Sequence, residues 1–318
     1  MSSAVPGRNG AEAGPLVLTP AVAGGLDVDL PGAGVRLRAT RWPGSGPPVL
    51  LLHGLASSRR FWDLVVPGLA GMPVLALDQR GHGDSERPTG PYDGPTVVAD
   101  VVTALDAVGL SRVVVVGHSW GATTALRLAA TAPERVLAAV AVDGGFRNLR
   151  AAAGQTREQA RERLTPPRTA LPPAQLRELL RTGPLAPWWS PAVEAALLPL
   201  FGLGADGLAR ARLPFEAHMA IVDDLLDDHD ASARLSAVRC PAWLVACEPA
   251  ATVASGEATA ARAADLDAAG ARLAQPRLLR WTGALHDVPL QWPALVAGLV
   301  RAAADEVGPG SVGAGTAA

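Results

Sequence analysis

The sequence contains no lysine: all 28 basic residues are arginine, and they are scattered rather than gathered. That leaves no basic stripe to track a phosphate backbone, which argues against a nucleic-acid partner. With 30 acidic residues the net charge is only −2, so neither sign dominates. Missing lysine beside abundant alanine reflects GC-rich coding and carries no chemical message. Hydrophobic residues make up 49%, yet no unbroken run approaches the ~20 residues that span a bilayer, which argues against a membrane protein. Cysteine is also scarce. The two present, Cys240 and Cys247, are read as lying in one strand, where seven residues at roughly 3.3 Å each put them about 23 Å apart, beyond disulfide reach. They read as buried apolar side chains in a reducing compartment. The first fifteen residues, MSSAVPGRNGAEAGP, lack the charged start and apolar stretch of a secretion signal, so a cytoplasmic location is expected.

What is present is a rhythm. Leu16–Leu30 and Val35–Trp42 alternate apolar and polar residues around Pro-Gly-Ala-Gly, which predicts an antiparallel hairpin at a sheet edge. The pattern then changes to short continuous apolar runs: Val49–Leu52, Val74–Leu77, Val113–Val116, Val136–Val142, Trp243–Ala246 and Leu278–Trp281. Such runs suit strands covered on both faces. Helical patterns at Thr96–Val108, Ala122–Ala132 and Ala258–Leu273 separate most of them. The alternation predicts an α/β protein with a doubly wound, mostly parallel sheet. Between Phe146 and Arg239 no strand-like run is evident, and seven prolines from Pro166 to Pro191 cut the segment into short helices. A helical insertion of about ninety residues is expected to lie over the strand ends as a lid. The expected organisation is a core at 16–145 and 238–306, a lid at 146–237, and tails at 1–15 and 307–318.

One turn carries chemistry. Gly117-His118-Ser119-Trp120-Gly121 matches G-x-S-x-G, after a strand and before a helix, the context in which that motif exposes a nucleophilic hydroxyl at the carboxyl edge of a sheet. The helix that follows puts its positive end beneath a developing anion. A serine needs a base. Of the six histidines, His118 is inside the turn and by alternation points away from the serine, His82 lies in the loop RGHGDS, and His218 and His229 fall in the expected lid. His286, on the loop WTGALHDVPLQWP after the last strand-like run, is the expected base.

Together the elbow, the His53-Gly54 pair in VLLLHGLASSRRFWD, the loop LDQRGHGDS and the late His286 resemble the α/β-hydrolase family over roughly residues 35–145 and 238–300. The resemblance implies an eight-stranded, mostly parallel sheet carrying nucleophile, acid and histidine in that order, with no required cofactor. It also implies an oxyanion hole from the backbone N–H groups of Leu55 and Trp120. His53, Arg80, Asp84 and Ser85 read as loop-bracing groups. Its usual acid position is altered: in PAWLVACEPAA, Cys247 stands for a glycine and Ala250 for the aspartate. Two acids remain. Asp143, ending VLAAVAVDGGF, occupies the family's second acid position and is preferred; Glu248, two residues early and followed by a proline, is the alternative.

A serine, histidine and acid with an oxyanion hole argue for acyl transfer to water. In this fold haloalkane dehalogenases and epoxide hydrolases use an aspartate nucleophile, so the serine argues against those activities. The expected reaction is hydrolysis of a small, mostly apolar carboxylic ester through an acyl-serine. A thioesterase, a lactonase, or a non-hydrolytic ligand-binding or lyase-like member are the alternatives. Phe61, Trp62, Trp188, Trp189 and Met219 are expected to line the substrate pocket. Asp223, Asp224, Asp227 and Asp228 read as a solvated helix face rather than a metal site and, if they bear on substrate at all, disfavour anionic ones. The expected partner is a small-molecule substrate; oligomeric state is not legible.

Overall fold

The computed structural model describes residues 24–147, 149, 156–228, 231–250 and 256–308. The edge hairpin forms from β1 (Leu26–Pro31) and β2 (Arg36–Trp42), paired antiparallel; residues 16–23 of the expected first strand lie outside the described residues. The continuous apolar runs become β3 (Val49–Leu52), β4 (Val74–Asp78), β5 (Val113–His118) and β6 (Val136–Val142). Helices α1 (Gly94–Ala107) and α2 (Trp120–Thr131) come before and after β5.

From β6 the chain runs through α3 (Arg157–Leu164), α4 (Pro173–Arg181) and α5 (Pro191–Leu197). It then forms β7 (Phe201–Leu203) and β8 (Ala209–Ala211), then α6 (Phe215–Asp227) and α7 (Ala231–Leu235). The antiparallel β7–β8 pair corrects the expectation of a strand-free segment; three residues a side are too few to give a readable alternation. The chain ends with β9 (Ala242–Glu248), α8 (Gly256–Gly270), β10 (Pro276–Thr282), α9 (Val288–Gln291) and α10 (Pro293–Val307). Cys240 precedes β9 instead of sharing it with Cys247, and both cysteines are free. Of the expected tails, only Val307, the last residue of α10, and Gly308 are described.

The sheet order is β1-β2-β4-β3-β5-β6-β9-β10. Within this sheet only the β1–β2 and β2–β4 pairs are antiparallel. Every residue of β3, β5 and β6 is buried because helices cover both faces. Val113 and Val115 pack with α1, α2 and α8 on one side. Val114 and Val116 pack with α10 on the other. The winding reverses between β3 and β5, which are neighbours in register Leu52↔Gly117. A crevice at such a reversal is where open α/β sheets bind ligands. Among the described residues no helix is long and apolar enough to cross a membrane.

Candidate active site

The carboxyl ends of β3 and β5 bring the loop His53-Gly54-Leu55 beside the elbow at Ser119. The elbow is tight for a steric reason. A Cβ on Gly117 would sit 2.1 Å from the Gly121 carbonyl oxygen, and one on Gly121 would sit 2.3 Å from that of Leu52. Ser119 itself holds φ +54° and ψ −117°, a conformation an L-residue keeps only when its surroundings enforce it. Enforcement comes from both sides: Ser119 N–H donates to the Val142 carbonyl at 2.9 Å, and Ala122 and Thr123 N–H donate to the Ser119 carbonyl.

Ser119 and His286 line one cavity of about 600 Å³. His286 stands on the loop between β10 and α9, and its Nδ1 donates to Asp143 Oδ2 at 2.6 Å. Asp143 follows β6 at φ +46° with its side chain 1% exposed. Burial works to raise its pKa, but hydrogen bonding and charge from His286 and Arg262, with the Cys247 amide, hold it at about 2. The carboxylate is therefore ionised and only accepts. That fixes the proton of neutral His286 on Nδ1 and leaves its Nε2 lone pair for a substrate-side proton. Burial pushes the His286 pKa down, but the Asp143 carboxylate outweighs it and leaves the imidazole above its ordinary value. Glu248 is placed elsewhere, at the end of β9, where it accepts from Thr282 Oγ1 at 3.3 Å.

Leu55 and Trp120 also line the cavity, and among the described residues neither backbone N–H has an acceptor. The loop carrying Leu55 is held by two buried histidines. His53 Nδ1 donates to the Gly54 carbonyl while its Nε2 accepts from Gln79 N–H. His82 Nδ1 donates to the Arg80 carbonyl while its Nε2 accepts from Ala56 N–H. Burial drives their pKa values down to about 4 and about 3, so both stay neutral. Arg80 meets Asp100 through two nitrogens, Asp84 meets Arg59 and Arg212, and Ser85 Oγ donates to the Asp78 carbonyl; each braces the loop after β4.

Two further residues hold this site: Arg262, which the sequence does not single out, and His118, which it places in the turn without a role. Arg262, on α8, places Nη1 2.8 Å and 3.0 Å from the two oxygens of Asp143. His118 stacks on Phe61 and touches His286, ring centroids 4.8 Å and 4.7 Å apart. Its Nε2 donates to the backbone carbonyl of His286 at 2.8 Å, and burial with the His286 charge drives its pKa to about 3. His118 thus anchors the loop of the other histidine. A basic residue inside a helix and a histidine ending a strand carry no local sequence signal for these roles.

The expected pocket residues are a correction. None of Phe61, Trp62, Trp188, Trp189 and Met219 lines the cavity shared by Ser119 and His286. Phe61 packs with Leu185, Val193 and Leu290, Trp62 is in the core beneath α10, and Met219 joins Ala160, Val222 and Leu226. Trp188 ends a short 3-10 turn, and Trp189 borders a separate cleft with Arg177 and Glu194. Large apolar side chains were drawn into packing, and the cavity keeps Leu55, Trp120, Leu149, Leu164, Val222 and Leu225 beside its polar groups. The acidic run is a second correction. Asp224 and Asp228, four apart on one stripe of α6 and its end, bind Arg127 of α2. Asp223 and Asp227 bind Arg157. His218 lines the cavity, while His229 lies outside the described residues. Among the described residues no three His, Cys, Asp or Glu side chains are grouped to hold a metal ion.

A family model described as the alpha/beta hydrolase fold matches residues 47–178. An epoxide hydrolase of Mycobacterium tuberculosis is 42% identical over 114 residues, 34% of this chain and 35% of that protein. A bifunctional epoxide hydrolase of Sus scrofa is 39% identical over 117 residues, 36% of this chain and 21% of the relative. The matches thus span about a fifth to a third of those relatives. Among solved structures, an esterase of Mycobacterium tuberculosis is 28% identical with a TM-score of 0.67, covering 91% of this chain and 94% of that one. An E-2-(acetamidomethylene)succinate hydrolase superposes with a TM-score of 0.69 at 21% identity, over 88% of this chain and 99% of that one.

Proposed function

The chain has the α/β-hydrolase fold, whose family model matches residues 47–178, and from that premise we propose that it is a serine hydrolase of small carboxylic esters. The observation that carries the reading is the pairing at one cavity: Ser119 at the strained elbow and His286 held by Asp143. Ser119 Oγ attacks the ester carbonyl as His286 Nε2 takes its proton. The carbonyl oxygen becomes an oxyanion facing the amides of Leu55 and Trp120, whose contribution is of the order of several kcal/mol. As the tetrahedral centre collapses, the alcohol leaves with the proton from His286 and an acyl-serine remains. Water then attacks, giving its proton to His286; the acid departs and Ser119 recovers its hydrogen. Asp143, not Glu248, is the acid in this scheme because it alone of the two reaches His286.

The curated relatives named as epoxide hydrolases match about a third of this chain, but a serine stands at this chain's elbow, where an aspartate nucleophile would be needed to open an epoxide. The esterase superposition over nine-tenths of both chains favours the ester reading. Segment 146–237 acts as a lid in this scheme: the end of α3 and one face of α6 border the cavity. The test is intact mass after treatment with a small fluorophosphonate. Wild type gains one label, Ser119→Ala none, Asp143→Asn labels at least tenfold more slowly, and Glu248→Gln keeps the wild-type rate. A folded wild type that takes no label sinks the reading.

A further inference from the structure

The cavity at Ser119 is walled by three arginines from separate elements: Arg147 after β6, Arg163 on α3 and Arg262 on α8. Two carboxylates share the lining, and both are already satisfied. Asp143 accepts from His286, Arg262 and the Cys247 amide. Asp228 is bound by Arg127 and Arg234. Asp224, its neighbour on the acidic run, is bound by Arg127 as well, so this acidic pair adds no uncompensated negative charge. Donors remain on the cationic side. Arg262 makes its bonds through Nη1, and among the described residues its Nε and Nη2 have no acceptor. Arg147 meets Asp265 through Nε at 3.2 Å, and among the described residues its terminal nitrogens have none. Guanidinium donors at the wall of a half-open, partly apolar cavity are the arrangement that binds a carboxylate, by charge and by paired N–H groups.

We propose that the substrate is an ester with an apolar body and a carboxylate on the part remote from the scissile bond, held by Arg147 and Arg262 with Arg163 adding to the field. This rests on the serine hydrolase reading above and names its substrate class. Two near-isosteres separate the charge from the shape: monomethyl succinate and methyl butyrate, compared by pH-stat hydrolysis. The expected ratio of kcat/KM, anionic over neutral, is tenfold or more in wild type and falls at least tenfold in Arg147→Gln. Arg163→Gln lowers it by a smaller factor, while Arg177→Gln, at a separate cleft, leaves it in place. High salt lowers the wild-type ratio. If turnover of both esters is slow, protection of Ser119 from the fluorophosphonate by succinate, against uncharged succinamide, reads the same preference. A wild type that turns over both esters with a ratio near one, or a ratio untouched by Arg147→Gln, overturns the carboxylate proposal and leaves the hydrolase standing. An unlabelled, inactive wild type removes both.

Discussion

Nη1 of Arg262 lies within 3.0 Å of both oxygens of Asp143, the carboxylate that holds His286. A positive charge on the acid weakens its attraction for an imidazolium, so Arg262 acts against Asp143 in setting the basicity of His286. Hydrolysis needs neutral His286. Because the pKa of His286 is raised, the acid limb of kcat/KM falls above the ordinary histidine value of about 6.5. Arg262→Gln removes the opposing charge, so that limb moves further up. A limb that stays in place or moves down contradicts this role, and a merely structural arginine would change the rate at every pH alike.

Asp143 also links stability to pH. Its folded pKa of about 2 is below the ordinary 3.8, so its contribution is complete above the unfolded value and is lost as pH falls through the folded one. The gap corresponds to on the order of 2 kcal/mol. Urea midpoints of wild type and Asp143→Asn should differ most near neutral pH and converge between about pH 4 and pH 2. A difference independent of pH over that window would show that the buried charge is not the source.

Most of the architecture was legible because it follows from burial. Strands covered on both faces must be continuously apolar, and β3, β5 and β6 are. The elbow was legible because only glycine fits beside the Gly121 and Leu52 carbonyls. Asp143 was legible as a candidate from its place after β6, but only three-dimensional contact separates it from Glu248. The pocket was misread for a physical reason. Aromatic size says that a residue will be buried and not against what, and Phe61 and Trp62 were buried against the protein itself. The acidic run was misread because its four partners, Arg127, Arg157, Arg161 and Arg234, come from three other helices, a pairing no local spacing reveals.

Those pairs give a graded stability test. Arg127 is 7% exposed and bridges Asp224 and Asp228 across α2 and α6. Breaking a buried pair from one side leaves uncompensated charge, so Arg127→Leu should cost about 3 kcal/mol. Arg161, more open to water and paired with Asp223, should cost much less on going to Leu, because a solvated pair contributes little. Chemical denaturation of the two variants checks the order. Equal costs would mean that α6 is not held to the core through Arg127.

The elbow makes the last prediction. Glycine ordinarily destabilises relative to alanine, by up to about 1 kcal/mol, because its unfolded chain is freer. At φ +54° the balance reverses. Alanine's Cβ keeps the steric penalty of a positive φ, roughly 1–2 kcal/mol, and glycine does not. Ser119→Gly should therefore melt above Ser119→Ala, and at or above wild type, while both are inactive towards the fluorophosphonate. Calorimetry of the three proteins settles the order. If the alanine variant is the more stable, the positive φ at Ser119 carries no steric penalty and the elbow is not strained there.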